Sequence, residues 1–350
     1  MRIAILGATG LVGRSLAVDL LRGRLLDPED RLVLGGHDTR STEMKLLAER
    51  IDLLDAFDDE RVGIDVIGSF DEIEADFVLV AAGATVSAEC PTRRDLARVN
   101  RPLFEQIGCR LAARLPEALY IVVSNPVELA VQILSEAAGR QRIVGMGAQQ
   151  DSLRFARAIA QDLRISRHEV RATVLGEHGN SMIPLWSTVE ILRDERALSA
   201  GLRDLQGRAN AESMQTRVER LRQEVSEHLR EERVAEAYRA AADALPDARI
   251  FVEPFITAHC QHSTPQATAN ATLGLLAAML ANDGRRVHGQ VALDREAFGV
   301  SGVFGVPLSV GMHGWRIGAL PELARSEEML VRQSSEQISA FLASARAETG

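Results

Sequence analysis

Short, unbroken aliphatic runs recur along the first part of the chain: RIAIL (2–6), RLVLGG (31–36), DFVLVAAGA (76–84), YIVVSNP (120–126) and RIVGMG (142–147). Runs that lack polar alternation predict strands buried on both faces, and the helical or polar stretches between them are long enough for crossover connections. The pattern therefore predicts βα units in a doubly wound parallel sheet over residues 1–148. The alternation stops there. Long helical segments follow, mixed with the strand-like EVRATVLGEHG (169–179) and SGVFGVPLSVGMHG (301–314), and predict a second, α+β substrate domain over 149–350. Within it, 196–248 is charged, poor in strand formers and spaced like one amphipathic helix or a helix pair packed on that domain. A last amphipathic helix is predicted near the C-terminus.

Composition narrows the function classes. At 350 residues the chain is long enough for two lobes. A formal net charge of −9 disfavours nucleic acid, because backbone phosphates call for a concentrated basic face. Three cysteines, Cys90, Cys109 and Cys260, form an odd set without CxxC spacing, which suits reduced thiols in a cytoplasmic protein. No apolar run reaches membrane-spanning length, and the strand starting at Ile3 leaves no room for a leader. Lys45 is the only lysine, so catalysis is expected from His, Arg, Asp and backbone groups.

In ILGATGLVGRSLAVDLL, Gly7, Gly10 and Gly13 fall between the first strand and the first helix. Glycines there allow a tight turn, close approach of a pyrophosphate to the backbone and close helix–strand packing, with the helix N-terminus facing the anion. The second strand ends in Gly35 and Gly36 where an NAD-specific domain usually carries an acid for the ribose hydroxyls. Arg40 and Ser41 follow as a charged donor and a hydroxyl for a 2′-phosphate, while Asp38 could still turn back to the ribose. The cofactor expected is NAD or NADP, with NADP slightly favoured.

Candidate chemistry centres on His178 in VLGEHGNS and on Asp151 and Arg154 in GAQQDSLRFARAIAQDL, where the three-residue spacing puts acid and base on one helix face. Taken alone, the histidine could be structural and the pair an ordinary surface ion pair.

In order, GATGLVG, VSNPVE, QQDSLRFARAIAQDL, GEHGNSMIPLWS and VFGVPLSVGMHG make the chain resemble the lactate/malate dehydrogenase family over nearly its whole length. The resemblance implies a nicotinamide-dependent oxidoreductase acting on a small 2-hydroxy or 2-oxo acid, and assembly as a homodimer or homotetramer. It implies His178 as proton donor, Asp151 as the carboxylate that orients it, and Arg154 as the planar clamp for the substrate carboxylate. It further implies a mobile loop, AAGATVSAECPTRRDLARVN, with Arg93 closing over the substrate carbonyl and Arg94 as the neighbouring alternative. Asn125 of SNP would serve both substrate and nicotinamide.

The sequence departs from the family in that loop. TVSAEC is one residue longer and places Val86 or Ser87 where malate dehydrogenases carry an arginine and lactate dehydrogenases a glutamine; Glu89 adds an acid nearby. Gln150 replaces the leucine usual before Asp151. Thr264 is a candidate pocket residue, while His259, Cys260 and His262 lack the spacing of a metal site, so no metal is expected. The altered loop and the helical insertion motivate a second reading, a dinucleotide-binding sensor or scaffold without turnover. A third, an NAD-using glycosidase, would need a metal site.

Overall fold

The structure, a computed structural model, describes residues 1–23, 25–36, 40–57, 62–86, 90, 92–260 and 263–347. The chain runs β1 (Arg2–Leu6), α1 (Leu11–Arg22), β2 (Arg31–Gly35), α2 (Arg40–Ala56), β3 (Gly63–Ile67), β4 (Phe77–Val80), α3 (Arg93–Gln106), β5 (Leu119–Val122), α4 (Val127–Ala138) and β6 (Ile143–Gly145). These six strands pair in parallel in the order β3-β2-β1-β4-β5-β6, the order of the doubly wound dinucleotide-binding fold. All five aliphatic runs supply strands. Ile3, Ala4, Ile5 and Leu6 have no exposed surface, nor do Phe77, Val78, Leu79 and Val80. Burial on both faces explains the absence of alternation. The edge strand β3, GIDVI, was not anticipated from the pattern; it is only half-buried at most of its positions.

The second part comprises α5 (Gly147–Leu163), β7 (Val170–Gly176), β8 (Met182–Ile191), α6 (Arg196–Asn210), α7 (Met214–Arg230), α8 (Val234–Asp243), α9 (Pro246–His259), α10 (Pro265–Ala281), β9 (Arg286–Asp294), β10 (Ser301–Gly311), β11 (Gly314–Ile317) and α11 (Arg325–Ala347). Its strands extend the same sheet in the order β6-β9-β10-β7-β8, with β11 on β10, and all the added pairings are antiparallel. The two parts meet at Gly145 paired with Gln290. Gln290 is fully buried, and its Oε1 accepts from the Ala148 N–H at 3.0 Å, so the strand junction also fixes the first turn of α5.

The 196–248 segment forms three helices and the start of a fourth, not the one or two expected. Local stop and start signals explain the division. The Ser213 side chain caps α7 by accepting from the Thr216 N–H, Glu232 takes a left-handed φ of 58° just beyond the end of α7, and Pro246 opens α9. Val218, Leu221, Val225 and Leu229 give α7 one buried stripe, packed with Ala237, Ala241 and Ile250 in a core distinct from that of the parallel sheet. No helix among the described residues is long and apolar enough to cross a membrane.

The glycine turn positions α1 by contact. Gly7 adopts φ +83°, and a Cβ built there would lie 2.7 Å from Ala81 O. One on Gly13 would lie 2.2 Å from Gly7 O and 2.7 Å from Ala8 Cα. Both clashes are with backbone, which cannot rotate away. Gly13→Ala should therefore lower unfolding stability by about 1–3 kcal/mol through overpacking. Urea denaturation checks this, and a loss below about 0.5 kcal/mol, as small as a surface change, would contradict it.

Candidate active site

α5 leaves the strand junction with its first turn pointing at the β7–β8 turn. Gly147 permits the contact: a Cβ there would sit 2.4 Å from both Cβ and Cγ of His178. The approach brings His178 Nδ1 to 2.6 Å from Asp151 Oδ2. Asp151 is 3% exposed and His178 15% exposed at the side chain, so the pair is largely shielded from water. An ionised Asp151 accepts from Nδ1–H, which leaves Nε2 as the atom that gains or loses a proton. Among the described residues Nε2 has no partner.

The other oxygen of the same carboxylate, Asp151 Oδ1, accepts from Arg154 Nη1 at 3.1 Å. Arg154 Nη2 lies 3.4 Å from Thr264 Oγ1, just before α10 begins. Sequence spacing had placed Asp151 and Arg154 on one helix face; the structure adds His178 and Thr264 to the same cluster. Gln150, which replaces the family's usual leucine, is buried and its Nε2 donates to Thr268 Oγ1 at 3.2 Å, so the substitution is absorbed by α10.

Arg93 stands in this neighbourhood by a different route from that expected. It is the first residue of α3, where a Thr92–Asp95 capping box starts the helix, and not a loop residue. Its Nη1 donates to the His178 backbone oxygen at 3.0 Å and pairs with Glu177 Oε1 at 2.6 Å, and its Nη2 pairs with Glu128. The guanidinium lies 4.9 Å from the Phe341 ring centre. Glu128, in the first turn of α4, is fully buried, and its Oε1 accepts from the His178 N–H at 2.7 Å. Burial holds the Glu128 carboxyl above the usual carboxylate range; Arg93 and the His178 N–H oppose that shift, and Glu177 adds to it. Arg94, the alternative to Arg93, points elsewhere and donates to Ser344 Oγ of α11 at 3.2 Å.

Asn125 is exposed just past β5. Its backbone oxygen accepts from Asn100 Nδ2 at 2.7 Å, and Asn100, 1% exposed, also bonds both the N–H and the C=O of Ala84. Asn100 thus ties the segment after β4 to the segment after β5 at the carboxyl edge of the parallel strands, where ligands of such folds bind. Sequence reasoning missed Asn100, Glu128, Glu177 and Gly147.

On the cofactor side, Gly10 caps α1 in extended conformation with no side-chain hydrogen bond to the helix N–H groups. Those free donors, and the close backbone contacts around Gly7 and Gly13, fit an anionic dinucleotide. Gly36 is buried, and a Cβ there would meet Thr42 Cγ2 and Leu46 Cδ1 at 2.7 Å, so α2 itself fills the place of a larger side chain. Arg40 and Ser41 are exposed in the first turn of α2. Asp38, Ser87, Glu89 and His262 lie outside the described residues. Among the described residues no group of three or more His, Cys, Asp or Glu side chains could hold a metal ion.

Residues 1–145 match the lactate/malate dehydrogenase NAD-binding domain, and residues 149–232 match the lactate/malate dehydrogenase alpha/beta C-terminal domain. The chain belongs to the lactate/malate dehydrogenase family. It stands among malate- and lactate-dehydrogenase-like oxidoreductases and carries their nicotinamide-cofactor domain. The chain is similar to malate dehydrogenase of Halobacterium salinarum, 28% identical over 349 residues that cover 97% of each chain. A match to malate dehydrogenase of Methanosphaera stadtmanae, 27% identical, covers 55% of this chain and 60% of that one. L-lactate dehydrogenase A of Hordeum vulgare is 34% identical over 54% of this chain and 52% of its own length. Among solved structures, malate dehydrogenase from Aeropyrum pernix superposes with a TM-score of 0.74 at 20% identity, covering 98% of this chain and 97% of that one. Lactate dehydrogenase from Eimeria maxima, solved with NADH and oxamate, gives a TM-score of 0.73 at 21% identity over 99% of this chain and 94% of its own. At such identities these two structures speak to the fold, which they share with the chain from end to end.

Proposed function

We propose that this protein interconverts a small 2-oxo acid and the corresponding 2-hydroxy acid, using a nicotinamide cofactor. The observation that carries the reading is the double engagement of Asp151, one oxygen on His178 and the other on Arg154. A single buried carboxylate thereby sets the spacing between a proton-transferring ring and a planar cation, the two groups that a 2-oxo acid requires at its carbonyl and its carboxylate. The bound nicotinamide supplies or accepts the hydride. Arg154 holds the substrate carboxylate in a bidentate fork. His178 gives a proton from Nε2 to the carbonyl oxygen during reduction and removes it during oxidation, while Asp151 orients the ring and offsets the imidazolium charge. Arg93, beside the His178 backbone, polarises the carbonyl. Gly7, Gly10 and Gly13 with the first turn of α1 hold the pyrophosphate, and Asn125 borders the nicotinamide. The residue range 1–148 acts as the dinucleotide-binding domain and 149–350 as the substrate domain.

His178→Asn preserves polarity and approximate size while removing the proton donor, so kcat should fall by about 10²–10⁴ with cofactor affinity retained. Arg154→Lys keeps the charge and loses the fork, so KM for the 2-oxo acid should rise far more than Kd for the cofactor. Steady-state kinetics alongside fluorescence titration of the reduced cofactor separate the two effects. A His178→Asn enzyme of undiminished kcat would refute the assignment. Undetectable turnover of every 2-oxo acid by the unmutated protein would leave the non-catalytic sensor reading in its place.

For the cofactor, the lack of an acid at Gly36 and the exposed Arg40 and Ser41 support a preference for NADP. The ratio of kcat/KM for NADPH to that for NADH should exceed one and fall on Arg40→Ala. A preference for NADH unaffected by Arg40→Ala would remove Arg40 from cofactor selection.

A further inference from the structure

A cavity of about 200 Å³ opens beside β8, the last strand of the sheet, between α7, α9 and α11. None of Arg93, Asp151, Arg154, His178 and Thr264 lines it. Its wall is apolar: Met182, Ile183, Val218 and Phe251 are buried there, and Met214 and Leu330 are half-buried. At about 30 Å³ per water the cavity has room for about seven waters, which suits a metabolite of leucine or methionine size and falls below the usual space for a drug-sized ligand.

The charged residues lining the cavity are Glu219 and Arg222, one turn apart on α7 and so neighbours on one helix face. They do not pair. Glu236 and Arg239, with the same order and spacing on α8, close to 3.3 Å. Glu219 instead accepts from Gln223 Nε2 at 3.4 Å, and Arg222 Nη2 donates to Asn180 Oδ1 at 2.8 Å, a bond that holds the guanidinium toward the β7–β8 turn. Neither has an ion-pair partner among the described residues. The rest of the rim, Gln215, Gln333 and Gln337, is uncharged, and those amides also have no protein partner among the described residues.

We propose that this cavity is a binding site for a small α-amino acid with an apolar side chain. The carboxylate takes the guanidinium of Arg222, the ammonium group takes Glu219, and the side chain lies against Met182, Val218, Phe251 and Leu330. Opposite charges held apart at the mouth of an apolar cavity match a zwitterionic head group on an apolar body. A simple acid or a simple amine meets one like charge and leaves the other group unanswered, so the pair selects by repulsion as well as by attraction. The cavity is separate from the catalytic cluster but shares a turn with it. Ser181, in its lining, holds Glu177 through its N–H at 2.8 Å and its hydroxyl at 2.7 Å, and Glu177 pairs with Arg93. Ser334 of α11, also in the lining, donates to Ser181 Oγ at 3.3 Å. A ligand in the cavity therefore touches the hydrogen-bond chain that ends at Arg93.

Isothermal titration calorimetry of the full-length protein with L-leucine tests the site, and a Kd of about 1 mM is expected for a ligand of this size. Glycine lacks the apolar body, 4-methylpentanoate the ammonium group and 3-methylbutylamine the carboxylate, so each should bind at least about tenfold more weakly than leucine. These comparisons need no variant. Arg222→Gln and Glu219→Gln, at a half-buried and an exposed position of α7, should each weaken leucine binding by about tenfold. Arg154→Gln, in the catalytic cluster, should leave leucine affinity as it was. Absence of leucine binding at about 20 mM overturns the proposal. So does 4-methylpentanoate or 3-methylbutylamine binding as tightly as leucine, or an affinity unchanged in Arg222→Gln or in Glu219→Gln. Loss of leucine binding in Arg154→Gln would move the ligand to the catalytic cleft and overturn it equally. All these results are read from binding and stand whether or not the protein reduces a 2-oxo acid.

Discussion

The Asp151 carboxylate is the constraint on which the site depends. Buried in the first turns of α5, it has two oxygens and gives one to His178 and one to Arg154. A buried carboxylate is costly unless it is paired and hydrogen-bonded, and here both conditions are met by the two groups that need orienting. Its position is inherited from the sheet. Gly145 pairs with Gln290 where the parallel strands give way to antiparallel ones, and Gln290 in turn holds the Ala148 N–H at the start of α5. The absence of a side chain on Gly147 then lets the helix and the His178 turn touch. Sheet junction, helix start and the His178 ring form one connected piece of geometry.

A second layer of control is electrostatic. Arg93 is bound to the backbone of His178 and to two carboxylates from different elements, Glu128 of α4 and Glu177 at the end of β7. Glu128 also holds the His178 N–H. The same acid therefore fixes the position of the histidine and the effective charge of the arginine beside it.

What was legible in the sequence was what lies close together along the chain or repeats with a period. The aliphatic runs became β1, β2, β4, β5 and β6 because burial on both faces removes polar alternation. Gly7, Gly10 and Gly13 marked their turn because their backbone contacts are local, and Asp151 with Arg154 could be read from helical spacing. What was not legible depends on distant partners. Glu128 is 35 residues from Arg93 and 50 from His178, so nothing local distinguishes it from any helix-opening acid. Gly147 matters only through its contact with His178, and Asn100 only through Ala84 and Asn125. The strands β8 and β9 escaped notice because polar residues interrupt them: β9 carries His288 and Gln290, and their backbone pairing with β10 is set by the tertiary fold.

The most direct test of the account is the structure of the protein bound to its reduced nicotinamide cofactor and oxamate, a substrate analogue that cannot accept the hydride. The account predicts the oxamate carboxylate in the fork of Arg154, the carbonyl oxygen within hydrogen-bond reach of His178 Nε2, and Nδ1 still on Asp151. Oxamate bound away from Arg154, or with His178 Nε2 turned from its carbonyl, would contradict it.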